Sequence, residues 1–204
     1  MTDFDFTDYE DKIKYYKSCL KERLSKSRYH HSLCVADEAK ALAKKNNYDE
    51  KKAYLAGLIH DVCKEDSTDK QRDLMSRCQT YIDDIEQTAR SLYHAIAGSV
   101  YIKEEFQILD EDIQNAVRYH TVAREGMSTL EKIIYLADVV SADRTYRDVK
   151  KYRKIIHKDL DTGMLEVLKY DIKSDVDEGH EIVKSTLSAY NEYIKKIRSK
   201  KGDR

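Results

Sequence analysis

The chain has 204 residues, with 37 Lys and Arg against 38 Asp and Glu, six glycines, no proline and no tryptophan. So even a balance provides no global positive field for non-specific nucleic-acid binding, and no apolar run approaches the roughly 18 to 20 residues that span a bilayer. The start, "MTDFDFTDYEDK", is acidic where a signal peptide is basic, so a cytoplasmic protein with no membrane or nucleic-acid partner is expected.

The lack of proline and scarcity of glycine leave helices uninterrupted, and the expected class is all-α: a single bundle of roughly eight to nine helices, a length of this order being one domain. In chain order the predicted helices cover 8–25, 28–46, 49–63, 69–86, 92–106, 110–121, 128–141, 145–173 with a break, and 177–199. Leu33, Ala36, Ala39 and Ala43 in the second, and Leu130, Ile133, Ile134 and Ala137 in the seventh, recur at helical spacing. Ser128 and Glu131 fit a capping box at the start of the seventh. Residues 1–27 read as an N-terminal helical extension, 28–199 as the main domain and 200–204 as a basic, solvated tail. Cys19, Cys34, Cys63 and Cys78 form no CxxC pair, so neither a disulfide framework nor a zinc ribbon is expected.

The residues that stand out lie at helix ends. His31 opens the second helix, His60 and Asp61 close the third in "AGLIHDVCKE", His94 opens the fifth and His120 closes the sixth, while Asp138 interrupts the apolar run "IIYLADVV". Burying any one of these without a partner costs several kcal/mol. Singly, each reads as a satisfied core or capping residue. Jointly, four histidines and two aspartates in apolar helical settings offer imidazole and carboxylate ligands suited to iron, manganese or zinc. Lys64 lies one helical turn after Asp61, and Arg124 and Arg144 carry fork-shaped donors suited to phosphate oxygens.

The segments "RYHHSLCVADEAKALA", "AGLIHDVCKE", "LYHAIAGSVY", "VRYHTVAREGMSTLEKIIYLADVVSADR" and "STLSAYNEYI" resemble, in order and spacing, the HD-domain phosphohydrolases, and within them the YqeK branch of bacterial symmetrical diadenosine tetraphosphate hydrolases. The resemblance runs from about Arg28 to Ile194. It implies that His31, His60, Asp61 and Asp138 hold one metal, that His94 and His120 hold a second with Asp61 bridging, and that the two metals are iron, with manganese or another divalent ion as alternatives. In "RYHH" the ligand position falls on His31, and His30 is a neighbour; His157 and His180 match no metal position. Asp61, Lys64 and Arg144 are expected to act in catalysis, with Lys64, Arg124, Arg144, Ile182 and Val183 contacting substrate. Ala123 and Glu125 stand where the family often has Gly and Pro, and Lys184 where it has Pro.

The implied reaction is hydrolysis of diadenosine tetraphosphate to two ADP, with a homodimer left open. The same metal core serves other phosphoester reactions, so a nucleotidase, a cyclic-nucleotide hydrolase or a guanosine-polyphosphate hydrolase is the alternative.

Overall fold

The computed structural model describes residues 9–202. Among them are eleven α-helices and one short 3-10 turn, Arg90–Leu92, with no strand. The helices are α1 Tyr9–Arg23, α2 Lys26–Lys45, α3 Glu50–Ile59, α4 Thr68–Ser76, α5 Asp84–Thr88, α6 Tyr93–Glu104, α7 Glu111–Arg118, α8 Thr129–Val140, α9 Val149–Ile156, α10 Leu160–Glu178 and α11 Lys184–Gly202. No helix among the described residues is long and apolar enough to cross a membrane.

The all-α class is the expected one; the helix count is higher because two predicted helices are divided. Residues 69–86 split because α4 ends at Ser76, and after a non-helical stretch Asp83 caps α5, its side chain accepting from Ile85 N while Glu86 closes a capping box. Buried Arg118 then grips that loop with both carboxylate oxygens of Glu86, at 2.7 and 3.0 Å, and with the Tyr81 carbonyl. The predicted break in 145–173 falls between α9 and α10, where Asp159 accepts from Thr162 N. α10 runs on to Glu178 and ends at Gly179, whose φ of 73° needs the left-handed freedom of glycine. The last helix therefore begins at Lys184, not at 177, and the basic tail is helical through Gly202. Of the N-terminal extension, residues 1–8 lie outside the described residues, as do 203–204 of the tail.

Side-chain caps do the punctuation that proline and glycine cannot: Ser25, Asp49, Ser67, Asp110 and Ser128 each accept a hydrogen bond from the first turn of the following helix. α2 packs most extensively on α3, and α8 lies across α2, α3 and α7. The core at this junction contains Ala39, Leu42, Leu55, Leu58, Ile133 and Leu136, all fully buried, each large aliphatic side chain contributing about 1.5–3 kcal/mol of transfer free energy. The α2–α3 approach depends on Gly57: a Cβ there would lie 2.9 Å from Ala36 Cα and 3.0 Å from the Val35 carbonyl oxygen. That close crossing brings His31 of α2 and His60, just beyond α3, to a ring separation of 5.5 Å.

α3 stops at Ile59, four residues before its predicted end, and residues 60–65 form tight turns. The carbonyls released there are taken by side chains from elsewhere: Arg23 Nε donates to Val62 O at 3.3 Å, and Gln71 Nε2 to Cys63 O at 2.7 Å. This turn sets His60, Asp61 and Lys64 at the open end of the bundle.

Candidate metal centre

All six predicted ligands converge. His31, His60, Asp61, His94 and His120 are buried, and Asp138 is nearly so. Ligand atoms of His31, His60 and Asp138 lie within 4.8 Å of one another, and so do those of His60, Asp61 and His120. The adjacent rings meet edge to face, His60 on His120 at 5.0 Å and His94 on His120 at 5.1 Å.

Three of the imidazoles are oriented by their outer nitrogen. His60 Nδ1 donates to the Gly57 carbonyl at 2.7 Å, and His120 Nδ1 to the Val117 carbonyl at 2.7 Å, each one helical turn back. His31 Nδ1 lies 2.8 Å from Asp143 Oδ2, and Ser141 Oγ donates to the other oxygen of Asp143 at 2.7 Å. In each ring Nε2 is then the atom directed to the cluster, the arrangement by which outer partners fix a ligating histidine. His94 differs, having the Lys64 ammonium 3.3 to 3.4 Å from its ring nitrogens.

Asp61 presents its oxygens in two directions. Oδ2 meets Arg28 Nη1 at 2.9 Å and His60 Nε2 at 3.4 Å, whereas Oδ1 meets His94 Nε2 at 3.2 Å and His120 Nε2 at 3.6 Å. Burial by itself would raise its pKa, but the field of His60 and the close approach of the His120, His60 and His94 rings hold it well below the usual carboxylate range. Asp138 is likewise held down against burial by the hydrogen bond from His31 and the charges of His60 and Arg144. Burial pushes His94 down to about 4, so its ring is neutral at physiological pH. Lys64 is also lowered by burial, with Asp61 opposing the shift.

The donor set fits a metal on an observation independent of residue type: His60 Nε2 is fully buried with no hydrogen-bond partner, and the Nε2 atoms of His94 and His120 face each other at 3.2 Å. Inward lone pairs of this kind are costly unless a cation lies between them.

Arg144 Nε donates to the Asp138 carbonyl at 2.8 Å, its Nη2 binds Asp138 Oδ1, and it lies 3.5 Å from His31 Nε2, so this residue and Lys64 border the cluster. Arg124 is engaged elsewhere: its guanidinium makes a two-pronged pair with buried Glu131, at 2.7 and 2.9 Å, and lies over the Tyr119 ring. Val183 lines a cleft of about 460 Å³ beside the cluster, together with Leu92, Thr121, Tyr135 and Asp171, whereas Ile182 does not line it. His30 is exposed, His157 pairs with Glu38 at 2.6 Å, and His180 is exposed. Sequence reasoning missed Arg28 and Asp143. Arg28 lies three residues before His31, one turn away on the same helix, a spacing that could have revealed it; Asp143 lies in the turn after α8, where no periodicity points to it.

Residues 28–143, more than half of the chain, match the family model described as the HD domain. The chain belongs to the HD-domain family. Relatives within the family include the symmetrical bis(5'-nucleosyl)-tetraphosphatase of Halalkalibacterium halodurans, 35% identical over 86% of this chain and 93% of that one. The enzyme of the same name from Bacillus subtilis is 30% identical over 85% and 93%. Among solved structures, a Clostridium acetobutylicum protein described as a predicted HD superfamily hydrolase involved in NAD metabolism superposes with a TM-score of 0.86 at 34% identity, covering 90% of this chain and 97% of its own. The His60–Asp61 pair lies inside the matched segment.

Proposed function

We propose that this HD-domain protein is a metal-dependent phosphohydrolase that cleaves diadenosine tetraphosphate symmetrically into two ADP. The observation that carries the reading is the buried cluster of four imidazoles and two carboxylates, bordered by Arg28, Lys64 and Arg144, in a chain whose full-length relatives are named symmetrical tetraphosphatases. His31, His60, Asp61 and Asp138 would hold one transition-metal ion and His94, His120 and Asp61 a second; iron is the first expectation and manganese the next, since imidazole with carboxylate accommodates both. Bound there, such ions supply Lewis acidity, which makes a water more acidic and stabilises charge on phosphoryl oxygens.

The chain's own residues have separable tasks. Arg28 and Arg144, each already ion-paired to a cluster carboxylate, present remaining N–H groups to phosphate oxygens. Lys64, on the turn that also carries Asp61, adds a mobile positive charge, and its lowered pKa reflects how little water shields it. Asp143, Gly57 O and Val117 O hold the imidazoles in place, so that the site is organised before substrate arrives. Water adds across the central P–O–P linkage: its oxygen joins one phosphorus, and the bridging oxygen leaves with the other ADP, a good leaving group that needs no protonation near neutrality.

The reading is tested by product analysis in oxygen-18 water with metal-loaded protein and diadenosine tetraphosphate. ADP should be the only nucleotide product, with half of the molecules labelled. ATP with AMP would rule out symmetrical cleavage, and rapid turnover of a mononucleotide without cleavage of the dinucleotide would assign the protein to the nucleotidase alternative.

A further inference from the structure

The cleft beside the cluster has a chemistry opposite to that of the cluster's edge. Its walls begin where the histidines end: Thr121 and Val122 follow His120 directly, and Leu92 lies two residues before His94. Where the cluster is bordered by Arg28, Lys64 and Arg144, the far wall carries three carboxylates, Asp171 and Asp175 of α10 and Glu181 beyond it, against the single imidazole of His180, which lies 3.7 Å from Asp175. Phosphate oxygens are attracted to the first region and repelled from the second. The far wall thus suits an uncharged group that bears hydrogen-bond donors and is joined covalently to phosphates held at the cluster, which describes a nucleoside.

Two adjacent residues of α10 are arranged for such a ligand. Tyr170 is half exposed at the cleft wall, and its neighbour Tyr152 meets it at 66° with centroids 5.9 Å apart. One ring can cover at most one face of another, so Tyr170 keeps a face that Tyr152 does not cover. Asp171 is fixed by the Tyr135 hydroxyl, which donates to Oδ2 at 2.6 Å. Among the described residues its Oδ1 accepts no hydrogen bond, and Tyr135 stands one turn before Asp138 on α8, which ties this wall to the cluster.

We propose that Tyr170 is the stacking platform for the nucleobase of the bound dinucleotide half and that Asp171 accepts a hydrogen bond from a donor of the same nucleoside. The inference rests on the phosphohydrolase reading above and deepens it: the cluster binds phosphates, and α10 selects nucleosides. Stacking tolerates any base because every base has a π face, so Tyr170 provides affinity for a nucleoside as such, and Asp171 orients it.

The test compares two probes on manganese-loaded protein by calorimetry: ADP, which carries a nucleoside, and inorganic pyrophosphate, which does not. Tyr170→Ala should weaken ADP binding by roughly tenfold, in line with the loss of one base–aromatic stack, and leave pyrophosphate binding unchanged; Tyr170→Phe should bind ADP like the wild type. Asp171→Asn should weaken ADP and not pyrophosphate. With diadenosine tetraphosphate, Tyr170→Ala should raise KM while kcat stays within about twofold. Unchanged ADP affinity in Tyr170→Ala, an equal loss for both probes, or a loss in Tyr170→Phe as large as in Tyr170→Ala would each overturn the proposal. Its failure is distinguishable from failure of the functional reading, because the ADP and pyrophosphate comparison does not depend on which dinucleotide, if any, the wild type cleaves.

Discussion

The Nε2 atoms of His94 and His120 lie 3.2 Å apart, and the Nδ1 proton of His120 is already committed to the Val117 carbonyl. In neutral His120 the inward nitrogen therefore carries a lone pair, facing a ring that burial keeps neutral down to about pH 4. A cation between the rings removes this conflict. Purified protein is expected to hold up to two transition-metal ions per chain, and Asp61→Ala to lose the most, because each of its oxygens faces a different half of the cluster. His157→Ala, which breaks only the pair with Glu38, should retain full metal. Elemental analysis of the three proteins decides it; full occupancy in Asp61→Ala would remove that residue from the ligand set.

Asp143 touches no other member of the cluster than His31, yet it fixes which nitrogen of that ring points inward. Removing an outer partner of a ligating histidine commonly costs about 10- to 100-fold in metal affinity. Asp143→Ala should show a loss of that order in a chelator competition titration, with thermal stability of the chelated protein little changed. Wild-type affinity would mean that the Gly57 and Val117 carbonyls suffice to organise the site.

Lys64 and Arg144 both border the cluster but are attached to it differently. Among the described residues the Lys64 ammonium has the His94 ring as its polar partner, whereas Arg144 binds the side chain and the carbonyl of Asp138. Lys64→Ala should keep its metal and lose turnover by about 30- to 1000-fold, which is roughly 2–4 kcal/mol of transition-state stabilisation. Arg144→Ala should lose turnover comparably and some metal as well, and Arg144→Lys should not restore either, because a single ammonium cannot replace the fork. Metal content measured beside turnover separates the two.

Arg124 was expected to contact substrate, but its guanidinium closes on Glu131, which is only 1% exposed and also completes the α8 capping box. Removing the arginine leaves a buried carboxylate without its partner; because the Arg124 side chain is about one-third exposed, the cost should be on the order of 1–2 kcal/mol, below that of a fully buried pair. Arg124→Ala should therefore unfold earlier in urea while KM for the dinucleotide stays unchanged. A raised KM at unchanged stability would restore the substrate role.

What the sequence disclosed and what it withheld follow from range. The helices that carry His31, His94 and Asp138 were legible because their apolar spacing and caps are local, as at Ser128 and Glu131. The end of α3 at Ile59 was not, since residues 60–65 contain no breaker and the turn is held by Arg23 and Gln71 from other helices. The cluster was legible as a set of residue types and from a resemblance; the partner carbonyls, Asp143 and the Asp171–Tyr135 contact depend on how helices cross, which Gly57 permits but does not announce. Ala123 shows the same limit. It occupies the left-handed region at φ 56°, the kind of position where glycine is favoured, and no local signal of an alanine announces that conformation.

Asp171 gives a prediction in which the sign of a pH effect can be worked out. Burial raises its pKa from 3.8 to about 6, with Asp175 and Asp138 adding to the rise and the Tyr135 hydroxyl opposing it. The folded chain therefore binds this proton more tightly than the unfolded chain does. Stability from this group is fully present below pH 3.8 and is lost as pH rises through about 6, because above that pH a carboxylate must ionise in a cleft that disfavours its charge. The loss amounts to about 3 kcal/mol. Asp171→Asn retains an acceptor for the Tyr135 hydroxyl and cannot ionise, so it should be more stable than the wild type at pH 8, with the difference shrinking towards pH 4. Urea unfolding of both chelated proteins across that range measures the difference directly; a gap that stays constant or widens on acidification would show that Asp171 is ionised throughout, and that Tyr135 outweighs burial.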